Sequence, residues 1–355
     1  MHVVTEYLQY LTEPTGRVGH IAYLDGVRGW ASLIVMLFHL IPHMGVKHPT
    51  AYGVLLDGRL SVWVFFAISG FSIALIRDER AITRTALARW PRLALPCLFH
   101  GVIATLSEPR FAVVNIAGSA LLAFFPPSGT FANVPHKDLM RLYQASMDHN
   151  GQLWTMQYEI TGSALVFLYS LTSRHAKLPW WAAVGAAALM YMMNHVFSYF
   201  LVGAAASRLW VECNQPAATA AAVVILVGVA YVPRFNSWIY SVVTLVQLSS
   251  TFVILATSPH ARAALSCRLS TFLGRISFSL YLCHTYIIRF TIANAPAAAV
   301  APISIAAALL WATATAWIDR WAIGITKRWA GCFMVDAESV SDKTMLPCDP
   351  PTNTV

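Results

Sequence analysis

The chain has 355 residues, 57% of them hydrophobic and 11% charged, and its mean hydropathy is +0.58. Soluble domains carry about 25% charged residues, so the composition excludes an ordinary globular protein and points to an integral membrane protein with many spans. The net charge of +8 does not indicate a nucleic-acid partner, because the basic residues are scattered between apolar segments as loop Arg and Lys are.

The first twenty residues are polar and lack a signal-peptide pattern. Apolar windows then predict helices near 23–44, 60–76, 93–107, 152–172, 179–194, 196–211, 217–232, 238–257, 272–291 and 298–319. The fold class that follows is an all-α polytopic bundle of about ten transmembrane helices. Residues 111–125 are apolar enough for a further span.

Loop charge decides that point. With ten crossings and a cytoplasmic N-terminus, one side collects Arg77, Arg80, Arg84, Arg89, Arg92, Arg174, Lys177, Arg208, Arg262, Arg268, Arg275, Arg320, Lys327 and Arg328. The other side keeps Lys47, Arg59, Arg110, Lys137, Arg141, Arg234 and Arg289. The positive-inside rule therefore favours both termini in the cytoplasm, with 111–125 re-entrant or interfacial within the 108–150 loop. Three parts are expected: a cytoplasmic segment 1–22, a transmembrane domain 23–330, and a polar tail 331–355. Pro347, Pro350 and Pro351 mark that tail as disordered.

Within the first helix, Arg28 and His39 stand eleven residues apart. Steps of about 100° bring them to one face, and the rise of about 16 Å carries His39 deep into a bilayer if Arg28 is near its edge. Ionisable groups at that depth are costly and mark functional paths; the plainer alternative is a core histidine and an arginine that snorkels to the headgroups. Ser69 and Gly70 sit mid-span in the second helix, where small residues allow close helix approach or the passage of a thin ligand. Five arginines fall between 77 and 92, read as a loop, and Arg89 and Arg92 are spaced to share a helix face. Guanidinium groups suit phosphate, although an ordinary positive-inside loop has the same composition. Glu159 opens an apolar span and needs a buried Arg or His, or a wet cavity. His284 is a second mid-span imidazole, and Asp319 beside Arg320 reads as a surface ion pair.

Other chemistries find no support. The sequence has no Gly-x-Ser-x-Gly elbow, no phosphate-loop motif and no His-Glu-x-x-His. The six cysteines (Cys97, Cys213, Cys267, Cys283, Cys332, Cys348) lack Cys-x-x-Cys spacing and read as free thiols, without a disulfide framework or metal site. There is no Asn-x-Ser/Thr sequon.

Four stretches in order resemble the acyltransferase 3 family of membrane acyltransferases, in the form of fungal members without a fused esterase-like domain. They are Leu24-Asp25-Gly26 with Arg28 and His39; Val64 to Phe71, followed by Arg89-Trp90-Pro91-Arg92-Leu93 and Pro96; Leu153 to Glu159 with Gly162-Ser163; and Leu273 to His284. Two departures are visible. Asp319 stands near where many members have Glu, and Met156-Gln157-Tyr158 replaces a more hydrophobic sequence.

The resemblance implies transfer of an acyl group, most often acetyl, from acyl-CoA to a hydroxyl, with no metal. On that basis His39 is the expected general base. Arg28 binds a CoA phosphate or stabilises developing charge, and Arg89, Arg92 and Ser69 join Arg28 around the donor. Glu159 and His284 orient His39 or position the acceptor. The expected acceptor is a small hydrophobic alcohol such as a terpenoid or polyketide; a cell-surface glycan or lipid-linked sugar is the alternative, and on physics alone so is a transporter. The protein is expected among the lipids of the endoplasmic reticulum or another internal membrane.

Overall fold

The described residues form eleven α-helices, with no strand among them. The structure is a computed structural model and describes residues 21–44, 56–76, 78–107, 151–176, 178, 180–193, 195–210, 212–232 and 237–344. The segment 1–20, the expected re-entrant stretch 111–125 and the tail beyond 344 lie outside the described residues.

In chain order the helices are α1 (Ala22–Leu40, continuing into a 3-10 turn Ile41–Met44), α2 (Gly58–Ala74), α3 (Glu79–Ser107), α4 (Trp154–His175, entered through a turn Gly151–Leu153), α5 (Trp180–Met193) and α6 (His195–Arg208). They continue with α7 (Pro216–Ala230), α8 (Ser237–Thr257), α9 (Pro259–Leu265), α10 (Arg268–Asn294) and α11 (Ala297–Thr344). Among the described residues, four segments are long and apolar enough to cross a membrane: Ala22–Met44, Ile239–Thr257, Arg268–Asn294 and Ala297–Ala330. Helices α2, α5 and α7 contribute shorter apolar stretches. Trp181, Leu189, Met192 and Val224 turn outward from α5 and α7, as lipid-facing side chains do.

Two elements differ from the sequence reading. The arginine-rich stretch expected as a loop is the first half of α3, which runs through Pro91 and Pro96. An internal proline costs about 3 kcal/mol in a helix; here packing offsets it, since Ile82, Leu93, Ala94 and Cys97 are buried. Helix α11 runs well past the expected end at 319, and its backbone is helical through 331–344, where composition predicts a tail without structure.

Glycine sets two close helix crossings. A Cβ on Gly29 of α1 would lie 2.5 Å from the Gly274 nitrogen of α10, and one on Gly274 would lie 2.4 Å from the Asp25 carbonyl oxygen. Between α2 and α6 the fit is reciprocal: a Cβ on Gly70 would fall 1.9 Å from Phe200 O, and one on Gly203 1.8 Å from Ala67 O. Within lipid, where apolar burial drives little association, such backbone approach supplies the packing.

Two apolar clusters flank these crossings. One gathers Phe66, Phe71, Val166, Tyr199, Phe200 and Leu248 from α2, α4, α6 and α8. The other joins Met36 and Leu40 of α1 to Ile276 and Leu280 of α10 and Ala308 and Ala312 of α11. At the start of α1, Tyr23 Oη donates to Glu212 (2.7 Å), while Arg262 donates to the Leu255 and Ala256 carbonyls that end α8 (2.8 and 2.7 Å). Arg262 also pairs with Glu212 (3.5 Å), so these contacts fasten the start of α1 to the end of α8.

Candidate active site

Three cavities follow α1 along its length. The first, about 390 Å³, is lined by Leu24, Asp25, Arg28, Ile68, Ser72 and Ile76. The second, about 150 Å³, includes Arg28, Ser69, Arg89, Arg92, Glu159 and Tyr281. The third, about 490 Å³, is lined by Phe38, His39, Trp63, Gln152, Trp154 and Tyr281, among others. Neighbouring cavities share walls: Arg28, Ile68 and Ser72 join the first to the second, and Val62 and Tyr281 join the second to the third.

Charged and hydroxyl side chains from α1, α2, α3, α4 and α10 enter the middle cavity, among otherwise apolar walls. Arg89 of α3 bonds Ser69 of α2 and Glu159 of α4, and its Nε donates to Ser163 Oγ (3.1 Å). Ser69 Oγ donates to Glu159 Oε1 (2.7 Å). Glu159 thus obtains the buried cation its position requires. Arg92, one turn beyond Arg89, feels the charges of Arg89, Arg28, Asp319 and Glu159. Asp319 is not the surface ion pair read from the sequence. It is largely buried, its Oδ2 accepts from Ser279 Oγ (3.0 Å), and Arg92 and Arg28 act on it electrostatically. Arg28 itself has no hydrogen-bond or ion-pair partner among the described residues, and it lines both the first and the second cavity.

The third cavity holds His39. Its side chain is exposed to that space, beside Phe38, Trp63 and Trp154. Behind it lies His284, fully buried, with ring centroids 5.3 Å apart. The far wall is a locked polar edge. Gln152 Nε2 donates to Leu282 O (2.9 Å), Thr285 Oγ1 donates to Gln152 Oε1 (2.7 Å), and Tyr281 Oη donates to Gln152 O (3.2 Å). The turn before α4 is thereby fastened to α10.

The structure therefore divides the expected site residues between two chambers. Arg28, Ser69, Arg89, Arg92 and Glu159 meet in one; His39 lines the other, with His284 sealed behind it. Glu159 does not line the cavity of His39. Sequence reading missed Tyr281, which lines both chambers, together with Gln152 and Thr285. Tyr281 lies three residues before His284, one helical turn away, and that spacing was the available signal. Among the described residues no group of three His, Cys, Asp or Glu side chains is placed to hold a metal ion.

The family model described as an acyltransferase domain, of the acyltransferase 3 type, matches residues 21–318. No curated protein and no solved structure gives a significant match.

Proposed function

The chain belongs to the acyltransferase 3 family and is a membrane acyltransferase; from that premise we propose that it transfers an acyl group, acetyl in the first instance, from acyl-CoA to the hydroxyl of a small hydrophobic alcohol such as a terpenoid or polyketide. The observation that carries this reading is the line of cavities from Arg28 to His39.

CoA is a polyanion. Arg28, without a partner among the described residues, is the cation available to a CoA phosphate at the mouth, with Arg92 behind it. The slender pantetheine arm fits the narrow middle cavity past Ser69. Arg89 is already neutralised by Glu159 there, so that pair shapes the passage and Arg28 takes the anion. The thioester then reaches the larger cavity. An apolar alcohol rests against Phe38, Trp63 and Trp154 with its hydroxyl toward His39.

Neutral His39 takes the hydroxyl proton as the alcohol oxygen attacks the thioester carbonyl, a role worth about 10²–10⁴ in rate. The C–O bond forms, the C–S bond breaks, and the proton leaves with the thiolate as CoA thiol. The products are an ester and free CoA, and no metal is required. The same reading puts the protein in the endoplasmic reticulum or another internal membrane, with both termini and the Arg28 end facing the cytosol, where acyl-CoA is found; loop charge supports that orientation.

The test is release of free CoA from acetyl-CoA by the purified protein in detergent, with lipophilic alcohols and, separately, glycan or lipid-linked sugar acceptors. The expected result is release that depends on a lipophilic alcohol. Release only with a sugar would overturn the acceptor class, and no release with either would overturn acetyl-CoA as donor.

A further inference from the structure

His284 is the group in this site whose hydrogen bonding is half complete. Its Nδ1 lies 2.7 Å from the Tyr281 carbonyl oxygen. A carbonyl only accepts, so Nδ1 carries the proton, and in a neutral imidazole Nε2 is then a lone pair. That Nε2 is buried and has no partner among the described residues, in a side chain with 0% exposure. A buried acceptor left unpaired is costly, so the arrangement is built for a donor that arrives. The neighbouring ring is His39, at 5.3 Å between centroids with planes 32° apart. Two imidazoles sharing an N–H···N bond of about 3 Å have centroids about 5 Å apart, so the two rings already stand at the separation such a bond needs.

We infer that His284 is a positioning residue for His39: its Nε2 accepts the N–H of His39 and leaves the other His39 nitrogen as a lone pair facing the cavity. This rests on the reading of His39 as general base. When His39 takes the acceptor proton, the bond to Nε2 holds the imidazolium in place, and the proton departs to the CoA thiolate from the cavity-facing nitrogen. His284 stays neutral throughout. Carboxylates commonly play this part. Here Glu159 is held by Arg89 and Ser69 in the other chamber, Asp57 is buried and caps α2, and no carboxylate lines the His39 cavity among the described residues. The order of exposure fits the assignment, with the base open to the cavity and its support sealed behind it.

Two variants separate this role from packing. His284→Leu fills the apolar site but cannot accept a hydrogen bond, whereas His284→Gln packs less well but presents a carbonyl oxygen near the Nε2 position. A packing role ranks Leu above Gln; the positioning role ranks Gln above Leu. In CoA release, His284→Leu is expected to lose about 10²-fold in kcat with little change in KM, and His284→Gln to recover at least about tenfold of that loss. Carbethoxylation of His39 by diethyl pyrocarbonate, followed by mass spectrometry, reads the open nitrogen without any turnover. Its rate should fall several-fold in His284→Leu and stay near wild type in His284→Gln. Equal carbethoxylation rates in the two variants, or activity in Leu equal to or above Gln, would overturn the inference. Absence of turnover in the wild type would count against the acyl-CoA reading alone, and the labelling rates would still decide the role of His284.

Discussion

The Arg89 guanidinium and the Glu159 carboxylate form a direct ion pair between α3 and α4, with side-chain exposures of 16% and 12%. Ser69 of α2 bonds both partners, so one cluster ties three helices together around the narrow middle cavity. A pair in this setting is expensive to break by halves.

Removing one partner should therefore cost more than removing both. Breaking a buried pair by one side costs about 3–5 kcal/mol, whereas replacing both members by neutral residues is often close to neutral. Glu159→Gln is expected to lower the thermal unfolding midpoint of the detergent-solubilised protein, and Arg89→Gln in that background to restore more than half of the loss. If the double variant is less stable than Glu159→Gln, the pair does not act as one unit.

Arg28 should govern the donor and leave the acceptor alone. A charge-assisted hydrogen bond is worth about 1.5–3 kcal/mol, so Arg28→Ala is expected to lower kcat/KM for acyl-CoA by about 10–100-fold. Arg28→Lys should recover part of that loss, since it keeps the charge without the forked donors. Donor and acceptor titrations check this. A change confined to the acceptor KM would contradict it.

The glycine crossings predict opposite outcomes for two similar substitutions. Gly70→Ala sets a Cβ 1.9 Å from the Phe200 carbonyl, and overpacking against backbone costs about 1–3 kcal/mol. Gly185→Ala, inside α5, meets nothing within 4 Å and should be neutral or stabilising by up to about 1 kcal/mol through helix propensity. Thermal unfolding midpoints and the yield of monodisperse protein report both. Equal behaviour would mean that the α2–α6 contact is not set by Gly70.

Much of the fold was legible in the sequence because helix periodicity and apolar length leave a strong local signal. Arg28 and His39 each line a cavity beside α1, and Arg89 and Arg92 both line the middle cavity. The helical course of α3 was hidden by Pro91 and Pro96, which usually end a helix but are offset here by packing from several helices. The pairing of Glu159 with Arg89, and the burial of Asp319 against Ser279, join residues 70 and 40 positions apart. Such partners follow from the order in which helices pack, and no local pattern in a single chain records that order. The division of the site into two chambers was hidden for the same reason: the residues common to both are Val62 and Tyr281, and the latter belongs to a helix near the end of the chain.

The measurement closest to the central claim is release of CoA thiol from acetyl-CoA by wild-type protein and by His39→Ala, each purified in the same detergent and shown to have the same unfolding midpoint. The account predicts that turnover falls by at least about 10² in the variant while acyl-CoA still binds, since Arg28 and the middle cavity are intact. Near-wild-type turnover by His39→Ala would contradict it.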